Sequence, residues 1–406
     1  MVVTLDPVTR QLYLDHAATT PVRRAALDAY VGAAALTGNA ASSHTAGRAA
    51  RRALEDARES IAAALGCAAD EVVFTSGGTE ADNIAVAGLF RSRHRADPRR
   101  RRVLISAVEH PAVQAAAVAL ESEGAVVVPL SVGTDGVLDA AAVGAAVLEG
   151  GGPATVALIG CMWANNEVGA VQPVGWLAGR AAEYGIPLHV DAVQAVGTLE
   201  VDAAASGAAT VAVSGHKVGG PIGCGVLVVR RGTGVAPVMH GGGQEAGLRP
   251  GTVAVPLVVA TAAALTEAVA ARPLAAARLA GLHDALVAGI RAGVPDVMLS
   301  GPTDGSRRLP TIAHLTFTGC DSESLLVLLD RAGVAASTGS ACRSGVLEPS
   351  PVLAAMGMPL QRALGAVRFS LGHTTTKADI SRVVDVMPGV VATARRARAA
   401  AVRDAA

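Results

Sequence analysis

Residues 72–80 read Val72-Val73-Phe74-Thr75-Ser76-Gly77-Gly78-Thr79-Glu80. A short β-branched and aromatic run passes into a glycine turn, and a helical pattern begins at Thr79-Glu80. Just upstream, residues 48–65 place Ala, Leu and Ile at helical spacing among Arg and Glu. The same rhythm recurs downstream, with strand-like runs at 103–106, 126–130, 156–161, 188–190, 211–214 and 226–230. Short apolar runs separated by helical patterns predict an α/β fold with a mostly parallel sheet covered by helices on both faces. The last run follows a Gly-Pro turn closely and reads as an antiparallel addition. No 20–50-residue repeat is evident in this order, which argues against a solenoid.

Near residue 255 the texture changes. A long Ala/Leu-rich helical stretch runs toward Ala292, with an expected interruption at Arg272-Pro273. A strand at 313–318, a helix at 322–332 and a Ser/Gly-rich loop at 337–350 follow. Helical patterns at 352–356 and 377–386 flank a strand at 367–371, and an Arg/Ala tail from Thr393 reads as a solvated helix. The expected division is a large domain over 14–260 and a smaller α+β domain from 1–13 and 261–406, which carries the 337–350 loop.

Composition narrows the function. The chain has 406 residues, 34 basic and 34 acidic, so its formal net charge is zero. That balance gives no electrostatic footprint for nucleic acid or for an anionic membrane. The nearly uncharged stretch 252–266 contains Pro256 and is too short to span a bilayer, and the N-terminus lacks signal-peptide features. Five cysteines (Cys67, Cys161, Cys224, Cys320 and Cys342) show no CxxC spacing, so the expectation is a reducing, cytoplasmic setting without a disulfide framework. Only two lysines occur, Lys217 and Lys377. Chemistry that needs an amine therefore has few places to happen, and Lys377 reads as an exposed first-turn helix residue.

In an open parallel sheet, ligands bind beyond the carboxyl ends of the strands. Here those ends lead to Thr75-Ser76-Gly77-Gly78-Thr79, Glu109-His110, Asn165-Asn166-Glu167, Asp191-Ala192-Val193-Gln194 and Ser214-Gly215-His216-Lys217. The glycine turn at a helix start suits an anionic group, since free N–H donors and the helix dipole both favour negative charge. Asp191 ends an apolar strand; it reads either as a helix cap or as a carboxylate that holds a proton on a heterocyclic nitrogen. Lys217 reads either as a surface residue or as a desolvated nucleophilic amine. Phosphate cradle, strand-end Asp and strand-end Lys are together the parts that hold pyridoxal phosphate.

With those residues in view, the sequence resembles the cysteine desulfurases of the NifS/IscS type, within the class V aminotransferases of fold-type I. Nine motifs carry the resemblance in order. They are Tyr13-Leu14-Asp15-His16-Ala17-Ala18-Thr19-Thr20-Pro21, the Phe74–Asn83 stretch, Glu109-His110, Asn165-Asn166-Glu167-Val168-Gly169 and His189-Val190-Asp191-Ala192-Val193-Gln194. Ser214-Gly215-His216-Lys217, Gly241-Gly242-Gly243-Gln244-Glu245, Ser340-Ala341-Cys342 and Arg368-Phe369-Ser370-Leu371-Gly372 complete them. The resemblance implies that Lys217 forms the Schiff base and that His110 stacks on the ring and assists proton transfer. It pairs Asp191 with the ring nitrogen and Gln194 with the phenolic oxygen. Gly78, Thr79, Ser214 and His216 would hold the phosphate, with Thr252 reaching in from the second subunit of a homodimer. Asn166 and Arg368 would bind the substrate carboxylate.

Cys342 lies among small and polar residues beside Arg343, a setting that favours a thiolate, whereas the other four cysteines read as core residues. The implied activity is desulfuration of L-cysteine to L-alanine with a persulfide on Cys342. That sulfur would pass to an acceptor protein, an iron–sulfur scaffold or a thiolation relay. No metal-ligand set is expected, and only Cys342 is a candidate for a transient contact with an iron–sulfur cluster. Rival readings are a selenocysteine lyase, another class V aminotransferase, or a catalytically silent scaffold. The thiol loop argues against a plain aminotransferase, and the intact Lys217, Asp191 and His110 set argues against a silent scaffold. Three positions depart from the family pattern: Pro250 for a common Ser, Gly78 for a frequent Ala, and Arg343 after the cysteine.

Overall fold

The computed structural model describes residues 11–339 and 350–404. Seven strands form the central sheet, in the spatial order Val72–Thr75, Gly225–Val229, Thr210–Ser214, Leu188–Asp191, Val156–Gly160, Arg102–Ser106 and Val126–Leu130. Gly225–Val229 pairs antiparallel with both of its neighbours. The other pairings are parallel, as the alternation of helix and strand patterns requires. Strands at the centre are buried along their whole length, which is why they read as continuous apolar runs and not as alternating ones. Ile84, Ala85, Val86 and Leu89 of helix Gly78–Ala96 are buried against this sheet with Val73, Val103 and Leu227.

The chain divides into two compact units. One comprises Thr19–Asn165 and Ala170–Leu274 and holds this sheet. The other comprises Met1–Ala18, Asn166–Gly169 and Ala275–Ala406. Within the second, Val297–Leu299, Ile312–Phe317 and Ala366–Ser370 form an antiparallel three-stranded sheet, and Leu12–Tyr13 pairs with Val334–Ala335. The core of this unit joins Leu14, Phe317, Leu325 and Phe369 to Leu282, Leu286, Val383 and Met387 from two long helices.

Two local expectations are corrected. Val255–Gly293 is one 39-residue helix with Pro273 inside it, not two helices broken at Arg272-Pro273. Proline removes one amide donor, but Pro273 and Leu274 are exposed, so water can serve the released carbonyl, and burial on either side holds the helix. By length and composition this helix could cross a membrane; Leu265 and Ala268 are buried in the first unit, and Leu279, Leu282 and Ile290 in the core of the second. Likewise the Arg/Ala tail from Thr393 is helical as expected, within Lys377–Asp404, but it is not solvated all round, since Ala394 is buried.

Candidate active site

The parallel arrangement delivers five strand ends to one edge of the sheet. Ser214 closes Thr210–Ser214, and its side chain sits against the glycine turn. A Cβ built on Gly77 would stand 4.0 Å from Ser214 Oγ, and one on Gly78 would stand 3.5 Å from Ser214 Cβ. A Cβ on Gly78 would also come within 2.8 Å of Val193 Cγ2. Glycine here is therefore matched to Val193, which accounts for the departure from Ala. Helix Gly78–Ala96 starts at this turn with no side-chain cap, which leaves its first-turn amides, Gly78 and Thr79 among them, suited to an anionic group. Glu80, the acidic residue of that turn, is held by Ser76 N and by Arg249 at 2.9 Å.

Lys217 ends the short helical turn Gly215–Lys217, and its charge acts on Asp191, His110 and His216. These four expected residues are therefore one electrostatic group. His216 is pushed down to about 4 by burial and by Lys217, and its Nδ1 lies 3.1 Å from Thr19 Oγ1. His110 caps helix Pro111–Ala119, where its Nδ1 accepts from Ala112 N at 3.1 Å. That bond fixes the tautomer with the proton on Nε2. Burial and Lys217 lower the His110 pKa, so its ring is neutral at pH 7.

Asp191 accepts from Val193 N at 2.9 Å, and only 5% of the residue is exposed. Burial and the neighbouring Asp82 carboxyl raise it to about 7, while Val193 N, His189 and Lys217 oppose the rise. The residues around it stand in the quoted motifs, but the sequence assigns them no role. His189 sits 3.2 Å from Asp82 Oδ1 through Nε2 and 2.9 Å from Thr210 Oγ1 through Nδ1, all of them buried. Glu109 accepts from Met162 N at 2.6 Å, its Oε2 is buried without a partner, and burial with Asp191 nearby raises its pKa well above the usual carboxylate range. Three carboxyls, Asp82, Glu109 and Asp191, thus share one buried region with His189. The spacing that finds a strand end does not find a helix-face Asp.

Over residues 12–383 the chain matches the family Aminotransferase class-V. It belongs to that family. Among curated relatives, the IscS-like cysteine desulfurase of Mycobacterium tuberculosis is 48% identical over 390 residues, 96% of this chain and 98% of that protein. Cysteine desulfurase NifS of Azotobacter vinelandii is 39% identical over 95% of this chain and 93% of its own length. Among solved structures, a NifS-like protein superposes with a TM-score of 0.86 at 30% identity, covering 94% of this chain and all of that one. A structure titled SspA in complex with cysteine gives a TM-score of 0.75 at 32% identity over 88% of this chain and 98% of its own. The expected fold, a class V aminotransferase of the NifS/IscS kind, is therefore the fold observed.

The other expected residues of this class V aminotransferase are divided between the two units. Thr252 is exposed and lines an open depression of about 550 Å³ with Arg51, Arg58, Gln244 and Glu245. Glu245 anchors that segment: it accepts from Phe74 N at 2.8 Å and pairs with Arg58 at 2.8 Å, while the Arg58 guanidinium lies 4.4 Å from the Phe74 ring centre. Pro250 packs on Gly241, where a Cβ would stand 2.9 Å from the proline ring. Gln194 follows Asp191 in a turn closed by Ala195 N to Ala192 O at 2.9 Å. In the other unit, Arg368 donates to the Asn166 carbonyl and to Asp15, each at 2.8 Å. Glu167 beside Asn166 accepts from Ser350 Oγ, and its side chain packs on Gly339. Cys342 and Arg343 lie outside the described residues. Cys161, Cys224 and Cys320 are buried; burial pushes the Cys67 thiol up to about 12 and the Cys224 thiol up to about 11, which keeps both protonated.

Proposed function

We propose that this chain is a pyridoxal-phosphate-dependent cysteine desulfurase that converts L-cysteine to L-alanine and leaves the sulfur on Cys342. The observation that carries the reading is the group formed by Lys217, Asp191 and His110 at the edge where the uncapped Gly78–Ala96 helix begins. A buried Asp191 poised near neutrality, an amine and a glycine cradle with no side-chain cap fit the ring nitrogen, the aldehyde and the phosphate of that cofactor. When bound, it supplies an electron sink for the negative charge that develops on the substrate carbons.

The chain's own residues do the rest. Asp191 becomes a carboxylate when it meets a protonated ring nitrogen, because opposite charge offsets its burial. Lys217 anchors the cofactor and offers an amine for proton transfer at the substrate Cα. Neutral His110, with the proton on Nε2, can exchange it with a substrate atom at physiological pH. Gly78, Thr79, Ser214 and His216 take the phosphate, Gln194 the phenolic oxygen, and Asn166 with Arg368 the substrate carboxylate. The Cys342 thiolate attacks the substrate Sγ; a new S–S bond forms as the Cβ–Sγ bond breaks, and the carbon keeps the electron pair and takes a proton to become alanine. An acceptor thiol then removes the outer sulfur, as an iron–sulfur scaffold or thiolation relay would require. A free thiol of this kind suits a reducing compartment such as the cytoplasm.

A homodimer is part of the proposal. Thr252 is exposed on a segment that Glu245 holds rigidly, which suits a residue presented to a neighbouring subunit. Supplying holoprotein with L-cysteine and a reductant, and measuring alanine and sulfide, tests the activity. Equal amounts of the two are expected. Alanine without sulfide, or no alanine at all, would overturn the assignment.

A further inference from the structure

Arg368 stands in the middle of strand Ala366–Ser370, opposite His314 in antiparallel register. On its other side the backbone is bridged to Ser337, with N to Ser337 O at 2.6 Å and Ser337 N to its own carbonyl at 3.2 Å. The residue is only 3% exposed. Its guanidinium spends Nη1 on the Asn166 carbonyl and Nη2 on Asp15 Oδ1, while Nε is buried with no hydrogen-bond partner. Both ring nitrogens of His314 are also buried without partners, and burial together with the Arg368 charge pushes that ring down to about 3. His314 is thus a neutral wall, and the ion pair recorded for this arginine is with Asp15, whose side chain is 22% exposed. Asp15 is itself fixed to the same strand. It forms a parallel bridge with Ser370, and His16 N donates to the Ser370 carbonyl at 3.3 Å.

We propose that Asp15 is a positioning residue, whose carboxylate holds the Arg368 guanidinium in the orientation that receives the substrate α-carboxylate. The inference rests on the reading of Arg368 as the carboxylate site. An unheld arginine has many rotamers to lose when it binds an anion; one clamped at Nη1 and Nη2 has already lost them. The two acceptors also set the plane of the fork, and planar carboxylate recognition depends on that plane. Asp15 does not touch the reacting atoms, so its effect falls on substrate affinity and not on the chemical step.

The test uses holoenzyme of the wild type, Asp15→Ala, Asp15→Asn and Arg368→Ala. Alanine formation gives kcat and KM for L-cysteine, and the visible spectrum of the bound cofactor is titrated with L-cysteine and with cysteamine, which lacks the carboxylate. Loss of one charge-assisted bond predicts that Asp15→Ala raises KM by about 10- to 100-fold. The same variant should keep kcat within about 3-fold, because the chemical step is untouched. Asp15→Asn, whose Oδ1 accepts the same bond, should recover most of the loss. Cysteamine half-saturation should be unchanged in both. If Asp15→Ala weakens cysteamine as much as cysteine, or leaves cysteine untouched while Arg368→Ala weakens it, Asp15 does not position the arginine. If Arg368→Ala itself leaves cysteine half-saturation unaltered, the carboxylate reading falls and this inference with it.

Discussion

Two buried clusters, one in each unit, treat charge in opposite ways. Around the parallel sheet, Asp82, Glu109, Asp191 and His189 are buried close together, and burial pushes each toward its neutral form. Around the antiparallel sheet, Arg368 is equally buried but is met by Asp15 and the Asn166 carbonyl. The first arrangement leaves a carboxyl whose charge is decided by what arrives beside it. The second fixes a charge in advance and leaves only its direction to be used. A group that must change protonation belongs in the first setting, and a group that must only recognise an anion belongs in the second.

Variants that break the first arrangement have the larger effects. Lys217→Ala should abolish covalent attachment of the cofactor, with no borohydride-trapped label on the protein; a label that moved to Lys377 would show the amine to be misassigned. His110→Ala should lower kcat by about 10²- to 10⁴-fold, the usual worth of one acid–base group. Because burial and Lys217 lower its pKa, the neutral ring persists into more acid solution than for an ordinary histidine. The acid limb of kcat/KM assigned to it should therefore lie below pH 6.5, and a limb above that value would contradict the assignment. Asp191→Asn should weaken cofactor binding by about 10- to 100-fold, as expected for one charge-assisted bond.

The pH dependence of that binding sharpens the contrast further. Asp191 is raised to about 7, so in the cofactor-free chain it is a neutral acid below that pH and a carboxylate above it. Cofactor affinity should rise as pH passes upward through 7, and this rise should vanish in Asp191→Asn. A fluorescence titration of the apoprotein across that range reads it directly. At the small end, Cys161→Ala and Cys224→Ala should leave turnover intact and cost about 1 kcal/mol of stability, as small core changes do. Thermal melts beside activity assays would expose any larger role.

The same contrast explains what the sequence reveals and what it hides. Asp191 and Ser214 close parallel strands and Lys217 stands just beyond one, where the topology sends ligands, so a strand pattern is enough to find them. Asp82 lies on a helix face, and only the fold turns it toward His189 across 107 positions of chain. Asp15 and Arg368 are 353 residues apart, and no periodicity links them. Strand Val297–Leu299 has three residues and only half-buried or exposed positions, too little pattern to stand out. Pro273 marks a helix end by its chemistry, yet the helix continues because the flanking Ala/Leu face is buried in both units. Glu245 sits in a glycine-rich motif to which the sequence assigns no role, whereas its bonds to Arg58 and Phe74 N make it the anchor of that run.

The central claim is that Cys342 alone receives the substrate sulfur. Holoenzyme is exposed briefly to L-cysteine, trapped with an alkylating agent, digested and read by peptide mass spectrometry. The account predicts one added sulfur atom on the peptide containing Cys342 and none on those containing Cys67, Cys161, Cys224 or Cys320, with the adduct absent from Cys342→Ser. An added sulfur on any of the other four, or undiminished alanine formation by Cys342→Ser, would contradict it.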